Sequence, residues 1–214
     1  MKIVLASDTH GLHDKVEFPD GDMIIFAGDI SNNGQLAQIE NFNTFLGTLS
    51  YKYKIVIAGN HDFFFEKNHN KVDKVLNNAI YLYDSMIQIE GINIYGSPWQ
   101  PWFCDWAFNV KSDVDRFKIW QKIPYSTDIL ITHCPPFGIG DRTNTGELVG
   151  CKELAKRLDG LNLKLHVFGH IHESYGVCST NRHISVNASA CNELYNPINS
   201  PIVIETHPEW GICL

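Results

Sequence analysis

Apolar positions gather into five short runs, residues 3–6, 23–27, 54–58, 128–131 and 164–168, each closed by polar or glycine residues. Near-continuous apolar character over so few residues predicts strands covered on both faces. Between them, residues 35–49 place Leu36, Ile39, Phe42, Phe45, Leu46 and Leu49 at three-to-four spacing, which predicts an amphipathic helix. Weaker helical patterns run over 114–120 and 149–158. Strand alternating with helix predicts an α/β architecture. After His172 the runs 175–178, 183–186 and 201–205 lose helical patterning and predict hairpins that complete a second sheet. No repeat, low-complexity tract or linker divides the chain, so one domain over residues 1–214 is expected.

Composition narrows the class. A chain that is 44% hydrophobic and 12% aromatic is neither disordered nor collagen-like. With 24 acidic and 17 basic residues and ten histidines counted as neutral, it carries −7, and its Lys and Arg are scattered. A nucleic-acid polymer needs a clustered basic surface, so none is expected as partner. A small phosphate ester stays open, because a bound metal would dominate the local charge. The first apolar run is too short for a signal peptide, and no stretch approaches about 18 uninterrupted apolar residues. The six cysteines form no C-x-x-C pairs. A reduced, cytoplasmic protein without a membrane segment is therefore expected, and Asn187-Ala188-Ser189 reads as a structural turn or a chance match.

The chemistry sits at the ends of the apolar runs. The five runs lead into Asp8-Thr9-His10, Asp29, Asn60-His61-Asp62, His133 and His170-Ile171-His172. Strands of one polarity share a carboxyl edge, where α/β proteins build sites. A lone histidine after a strand is ordinarily structural; five coincident strand ends are not. The imidazole candidates are His10, His133, His170 and His172, the carboxylates Asp8 and Asp29, and the neutral oxygen donor Asn60. His170 and His172, two apart in an extended segment, point the same way. One zinc takes three or four protein ligands, whereas seven are available besides His61, which fits two ions bridged by Asp29. Mixed nitrogen and oxygen donors without cysteine suit manganese first, then iron, zinc or cobalt. Two ions about 3.5–4 Å apart acidify a bridging water and clamp the charge on a phosphoryl group, predicting in-line attack of a metal-bridging hydroxide. His61, surplus to coordination, is the expected proton donor to the leaving oxygen. Asp62 either orients His61, or simply caps the turn or lies at the surface, with the cap or surface reading ahead.

These blocks resemble the calcineurin-like metallophosphoesterases, whose pattern D-x-H, G-D, G-N-H-D/E, H and G-H-x-H stands here as Asp8-Thr9-His10, Gly28-Asp29, Gly59-Asn60-His61-Asp62, His133 and Gly169-His170-Ile171-His172. The resemblance implies a four-layer α/β/β/α sandwich of two mixed sheets flanked by helices. It also implies one ion on Asp8, His10, Asp29 and His172, and a second on Asp29, Asn60, His133 and His170. Residues 53–61, 94–103, 165–169 and 187–189 are similar to the metallophosphoesterase-domain-containing branch found also in animals. That branch implies phosphodiesterase activity, including on cyclic nucleotides. Some of its members carry Gly where His170 stands, so the kept histidine implies a complete pair of ions. The protein Ser/Thr phosphatases extend G-D as G-D-x-x-D-R-G; here Gly28-Asp29-Ile30-Ser31-Asn32-Asn33-Gly34 lacks that Asp and Arg, which argues against phosphoprotein substrates.

Residues that would contact a small phosphodiester or nucleotide lie in the intervening loops. Residues 97–106 concentrate three of five tryptophans, and Trp99 in that lid or wall could stack on a base, although packing against the core is the commoner role of such rings. Asn32, Asn33 and Arg142 could meet phosphate oxygens. Phosphomonoester hydrolysis and a weakly active nucleotide-binding scaffold are the rival readings. His13, His69, His166, His183 and His207 are expected to be structural or on the surface.

Overall fold

The protein is described by a computed structural model over residues 1–179, 182–206 and 212–213; His207 falls outside these described residues. The chain runs β1 (Lys2–Ala6), β2 (Met23–Ala27), α1 (Leu36–Thr48), β3 (Tyr53–Ile57), α2 (Phe63–Lys67), α3 (Val72–Val75) and β4 (Ile80–Tyr81). It continues through β5 (Ser85–Ile89), β6 (Ile92–Ser97), β7 (Gln100–Pro101), β8 (Asn109–Val110), α4 (Asp113–Gln121), β9 (Ile129–Thr132) and α5 (Lys152–Leu158). β10 (Leu165–Phe168), β11 (Gly176–Ser179), β12 (Ile184–Asn187), β13 (Ile202–Thr206) and β14 (Ile212–Cys213) complete it.

Two sheets of six strands form, ordered β14-β13-β1-β2-β3-β4 and β11-β12-β10-β9-β6-β5. β1 to β4 are parallel, as are β12, β10, β9 and β6, while the strands outside them pair antiparallel. The period-two alternation sorts each buried strand between two faces. Ile3, Leu5, Ile25, Ile55 and Ile57 meet Ile94, Ile129, Ile131, Leu165 and Val167 between the sheets. Val4, Ile24, Phe26 and Val56 turn the other way, against Ile39, Phe42 and Leu46 of α1. On the far side, Tyr95 and Leu130 pack on Trp120 of α4 and Leu154 and Leu158 of α5. Two mixed sheets flanked by helices therefore make the four expected layers.

Two features depart from the pattern reading. Residues 202–206 do not join the second sheet; β13 pairs antiparallel with β1, Ile3 opposite Ile204. The hairpin β5–β6 has no counterpart among the five apolar runs, because β5 is an edge strand whose Ser85, Met86 and Gln88 are exposed. Its turn, Glu90-Gly91, holds both φ angles positive, at 50° and 82°, as the tight hairpin turn that matches strand twist requires.

Burial sets the energetic scale, at about 1.5–3 kcal/mol for each fully covered aliphatic side chain. Leu5, fully buried between the sheets, should cost about 2–5 kcal/mol as Leu5→Ala in urea denaturation. Met86→Ala, on a residue 42% exposed, should stay within about 0.5 kcal/mol.

Candidate metal centre

The carboxyl ends of both parallel sets meet at one place. Ser7, just past β1, bridges Ser189 just past β12, and the Ala190 N–H donates to the Ser7 carbonyl at 2.8 Å, so the two sheets are stitched where the chemistry-bearing residues emerge. There the chain must turn at once. Asp8, His10, Asp29 and His170 take left-handed φ values of 53°, 46°, 50° and 69°, a conformation costing of order 1–3 kcal/mol for a non-glycine residue. The glycines of the motifs make room for this crowding: a Cβ on Gly169 would fall into the Asp8 carboxylate, and one on Gly59 into that of Asp29.

Seven donors converge. Asp8, His10 and His172 offer ligand atoms within 4.8 Å of one another, as do Asp29, His133 and His170, and Asp29 also groups with His10 and His61. Asp29 Oδ2 lies 3.3 Å from His133 Nε2 and 4.0 Å from both His10 Nε2 and His61 Nε2, while its Oδ1 accepts the His61 N–H at 2.7 Å. One oxygen is thus anchored and the other faces both groups.

The imidazoles are pre-oriented by the backbone. His61, His133 and His172 each place Nδ1 against a carbonyl, of Asn32 at 2.6 Å, Ala27 at 3.0 Å and Asn192 at 2.9 Å. A carbonyl only accepts, so Nδ1 carries the hydrogen and Nε2 turns inward, the second-sphere arrangement that orients metal-binding histidines. On neutral rings this sets acceptor against acceptor. His133 Nε2 lies 2.8 Å from Asn60 Oδ1 and His172 Nε2 lies 3.4 Å from Asp8 Oδ1, with His10 Nε2 joining the same cluster 3.2 Å from His172 Nε2. His10 Nδ1 is buried without a hydrogen-bond partner. Such a donor set fits divalent cations, with oxygen and nitrogen ligands and no thiolate.

Charge responds accordingly. Burial opposes protonation of His133, yet the Asp29 and Asp8 carboxylates outweigh it and raise its pKa to about 9. His172 is likewise opposed by burial and raised to about 9 by Asp8. Burial drives His10 down to about 4 and, with the neighbouring His133 charge, His170 down to about 3. Asp8, although buried, is held well below the ordinary carboxylate range by His172. Without a cation the carboxylates draw protons onto two imidazoles; a metal takes the place of those protons.

Around the donors the chain builds a support. Ser189 Oγ lies 2.8 Å from both Asp8 Oδ2 and Asn187 Oδ1, and Asn187 Nδ2 donates to the Ile171 carbonyl at 2.8 Å. Asn187-Ala188-Ser189 is therefore a buried brace behind Asp8 and the His170-His172 segment. Asp62 is fully buried, not at the surface, and accepts N–H bonds from Ile30, Ser31 and Gly59 and the Ser31 hydroxyl. It clasps the Asp29 loop to the Asn60 loop rather than bonding His61. Burial and the Asp29 charge push its pKa up to about 6.

A cavity of about 610 Å³ opens over the centre, lined by Asp29, Asn60, His61, His170 and His172 and walled by Trp102, Phe103, Trp106, Val149 and Tyr195. Of the four loop residues expected from the sequence to meet substrate, none is among the residues that line the cavity. Trp99 donates Nε1–H to Asp84 at 3.1 Å and packs on Phe108, so within its segment Trp102 and Trp106 line the cavity. Asn33 donates its N–H to Gln38 Oε1 at the start of α1. Arg142 is exposed and donates Nη1–H to the Gly146 carbonyl. Asn32 reaches the centre through its carbonyl on His61, its own side chain exposed. The contribution of Tyr195 was not legible beforehand: its ring stands 4.7 Å from His10 and 5.4 Å from His172, centre to centre. Nothing in the alternation of its flanking residues signals that approach. His13 and His166 are buried structural residues, bonded to Asn41 and Thr132.

Fold and donor set together define a metal-dependent phosphoesterase. Residues 1–174 match the calcineurin-like phosphoesterase family, and the chain belongs to it. The human metallophosphoesterase domain-containing protein 1 is 42% identical over 229 residues, spanning 95% of this chain and 70% of the relative. A Caenorhabditis elegans UPF0046 protein is 34% identical over 217 residues, spanning 95% and 74%. In fold, the chain is similar to TT1561 of Thermus thermophilus, with a TM-score of 0.60 at 13% identity over 87% of this chain and 88% of that one. A solved archaeal phosphodiesterase gives a TM-score of 0.51 at 13% identity over 100% and 98%. Among the described residues no helix is long and apolar enough to cross a membrane.

Two outcomes are expected. Gly169→Ala should expel Asp8 from its place and lower bound divalent metal by at least half, read by elemental analysis of the purified, folded variant. Calorimetric titration of metal into apo protein at pH 7, run in buffers of different ionisation enthalpy, should register proton release, since His133 and His172 are protonated below about 9 and must lose that proton to bind.

Proposed function

We propose that the chain is a single-domain, dinuclear metal-dependent phosphodiesterase acting on a small phosphodiester, cyclic nucleotides among them. Asp8, His10 and His172 would hold one ion, Asn60, His133 and His170 the other, and Asp29 would serve both, with manganese the first choice of metal. When bound, the ions supply an acidified water and positive charge against the phosphoryl oxygens.

The residues do the rest. His61, its Nδ1 hydrogen committed to Asn32, presents Nε2 toward the cavity; as the imidazolium, with a hydrogen on each ring nitrogen, it gives the Nε2 proton to the departing oxygen as the P–O bond breaks and is left neutral. The observation that favours a diester is the cavity wall. Trp102, Phe103, Val149 and Tyr195 give it apolar surface, and none of its lining residues among those described is Lys or Arg. A diester carries one negative charge and two organic arms, which such a wall accommodates by ring contact and apolar burial. A terminal phosphate dianion gains no extra cationic side chain there. The kept His170 supports activity over the scaffold reading.

Assaying bis-p-nitrophenyl phosphate beside p-nitrophenyl phosphate with Mn²⁺ tests this, with kcat/KM expected to be at least about tenfold higher for the diester. A preference for the monoester would sink the proposal. Fully metallated protein that turns over neither ester yet binds nucleotide would select the scaffold instead.

A further inference from the structure

The loop between β7 and β8 carries a ring whose contacts go beyond packing on Phe63, 5.9 Å away centre to centre. Trp106 is half-buried, lines the cavity and lies flat on His61, with ring centres 4.2 Å apart and planes 27° from parallel. On another side, His10 meets the same imidazole edge-on at 4.6 Å and 78°. Tyr195 stands further off, at 6.1 Å and 59°, and the His61 ring makes its hydrogen bond at one atom, Nδ1, to the Asn32 carbonyl. A single hydrogen bond fixes the direction of one ring atom and leaves the ring plane free to tip about that bond. The indole face removes that freedom.

The loop itself is built to deliver the ring. The Ala107 N–H donates to the carbonyl of Asn60 at 3.1 Å, tying the residue after Trp106 to the residue before His61. The Phe108 N–H donates to Glu66 Oε1 at 2.7 Å. Asn109 accepts from Gln100 Nε2 and the Phe103 N–H and donates to the carbonyls of Phe103 and Cys104. Cys104 and Phe108, on either side of Trp106, are non-glycine residues with φ of 50° and 57°. Backbone held in that region persists only where its surroundings over-determine it, and such positions cluster at functional sites. Trp99 and Phe108, by contrast, spend their rings on each other and on Tyr83.

We infer that Trp106 is a positioning residue for proton transfer: it stacks on His61 and holds the imidazole plane so that Nε2 meets the departing oxygen. The inference rests on the proposed role of His61 as proton donor. A loosened donor fails where the leaving group needs the proton and matters little where it departs unaided. Trp106→Ala should therefore lower kcat on diphenyl phosphate by about tenfold or more and on bis-p-nitrophenyl phosphate by less than about threefold, with bound metal unchanged. Trp106→Phe, which keeps a flat face, should restore most of the loss. Equal loss on both esters, a change confined to KM, or loss of metal would overturn it, making Trp106 a substrate wall or a structural ring.

His61→Ala in the same pair of assays separates the two levels. A steep leaving-group dependence in His61→Ala beside a flat Trp106→Ala overturns the positioning role alone. A flat His61→Ala removes the proton donor and overturns both. Should Trp106→Ala not fold, the ring protons of His61 in the zinc-loaded wild type report the stack directly. They should resonate upfield of a free imidazole and move downfield in Trp106→Phe; unshifted resonances would overturn the inference.

Discussion

Three imidazoles, His61, His133 and His172, each commit the Nδ1 hydrogen to a main-chain carbonyl, which turns their Nε2 atoms toward the carboxylates of Asp29 and Asp8. On neutral rings His133 Nε2 against Asn60 Oδ1 at 2.8 Å and His172 Nε2 against Asp8 Oδ1 at 3.4 Å are acceptors set against acceptors, which repel in a buried pocket unless positive charge is shared among them. The protein meets that demand with protons on His133 and His172, or with cations in their place. The construction near the strand ends answers this requirement: the carbonyls that set the tautomers, the hydroxyl of Ser189 behind Asp8, and the N–H of His61 that anchors one Asp29 oxygen so the other is free.

Holding that geometry is costly, and the sandwich beneath bears the cost. Four donor-bearing residues sit at positive φ within two to four residues of the ends of strands buried along nearly all their length. Strands packed on both faces do not slide, because a one-residue slip would exchange the inter-sheet face for the helix face along the whole element. The rigid rows of Ile3 and Leu5, Ile25 and Ala27, and Leu165 and Val167 therefore fix where Asp8, Asp29 and His170 begin. Asp62 extends that rigidity outward, its carboxylate buried beside the Asp29 charge so that three N–H groups and a hydroxyl are satisfied across two loops.

Residues close to the strands were legible in the sequence, and those that depend on loop direction were not. The seven donors could be named because each comes two to four residues after a continuous apolar run, and parallel strands leave little freedom in where such residues emerge. The hairpin β5–β6 escaped because one strand is an exposed edge, and β13 was assigned to the wrong sheet because strand pattern carries no information about partners. The tryptophans show the same limit. Residues 97–106 were recognisable as a wall, but whether Trp99 or Trp106 faces the cavity is decided by Asp84 and by the Ala107-to-Asn60 bond, two long-range contacts. Asn33 and Arg142 read as phosphate contacts by type alone; in the fold the Asn33 backbone N–H meets Gln38 at the start of α1 and Arg142 Nη1–H meets the Gly146 carbonyl, contacts that residue type does not signal.

The chain's charge of −7 carries less meaning than its distribution. The cavity over the centre has no Lys or Arg among its described lining residues and is rich in rings. On the proposed reading, positive charge for the phosphoryl group then comes from the same cluster of donors that performs the chemistry, while the organic arms of the ester rest on Trp102, Phe103 and Tyr195. Binding through those arms is equal in ground and transition states and lowers KM without raising kcat, whereas interactions at the donor cluster grow as charge shifts to the leaving oxygen. Substrate choice and rate enhancement are thereby assigned to different residues. On that reading Trp102 and Phe103, after β6, and the turn around Tyr195 are the places to vary for a different ester, while Trp106, the donors at positive φ and the glycines beside them are tied to the chemistry.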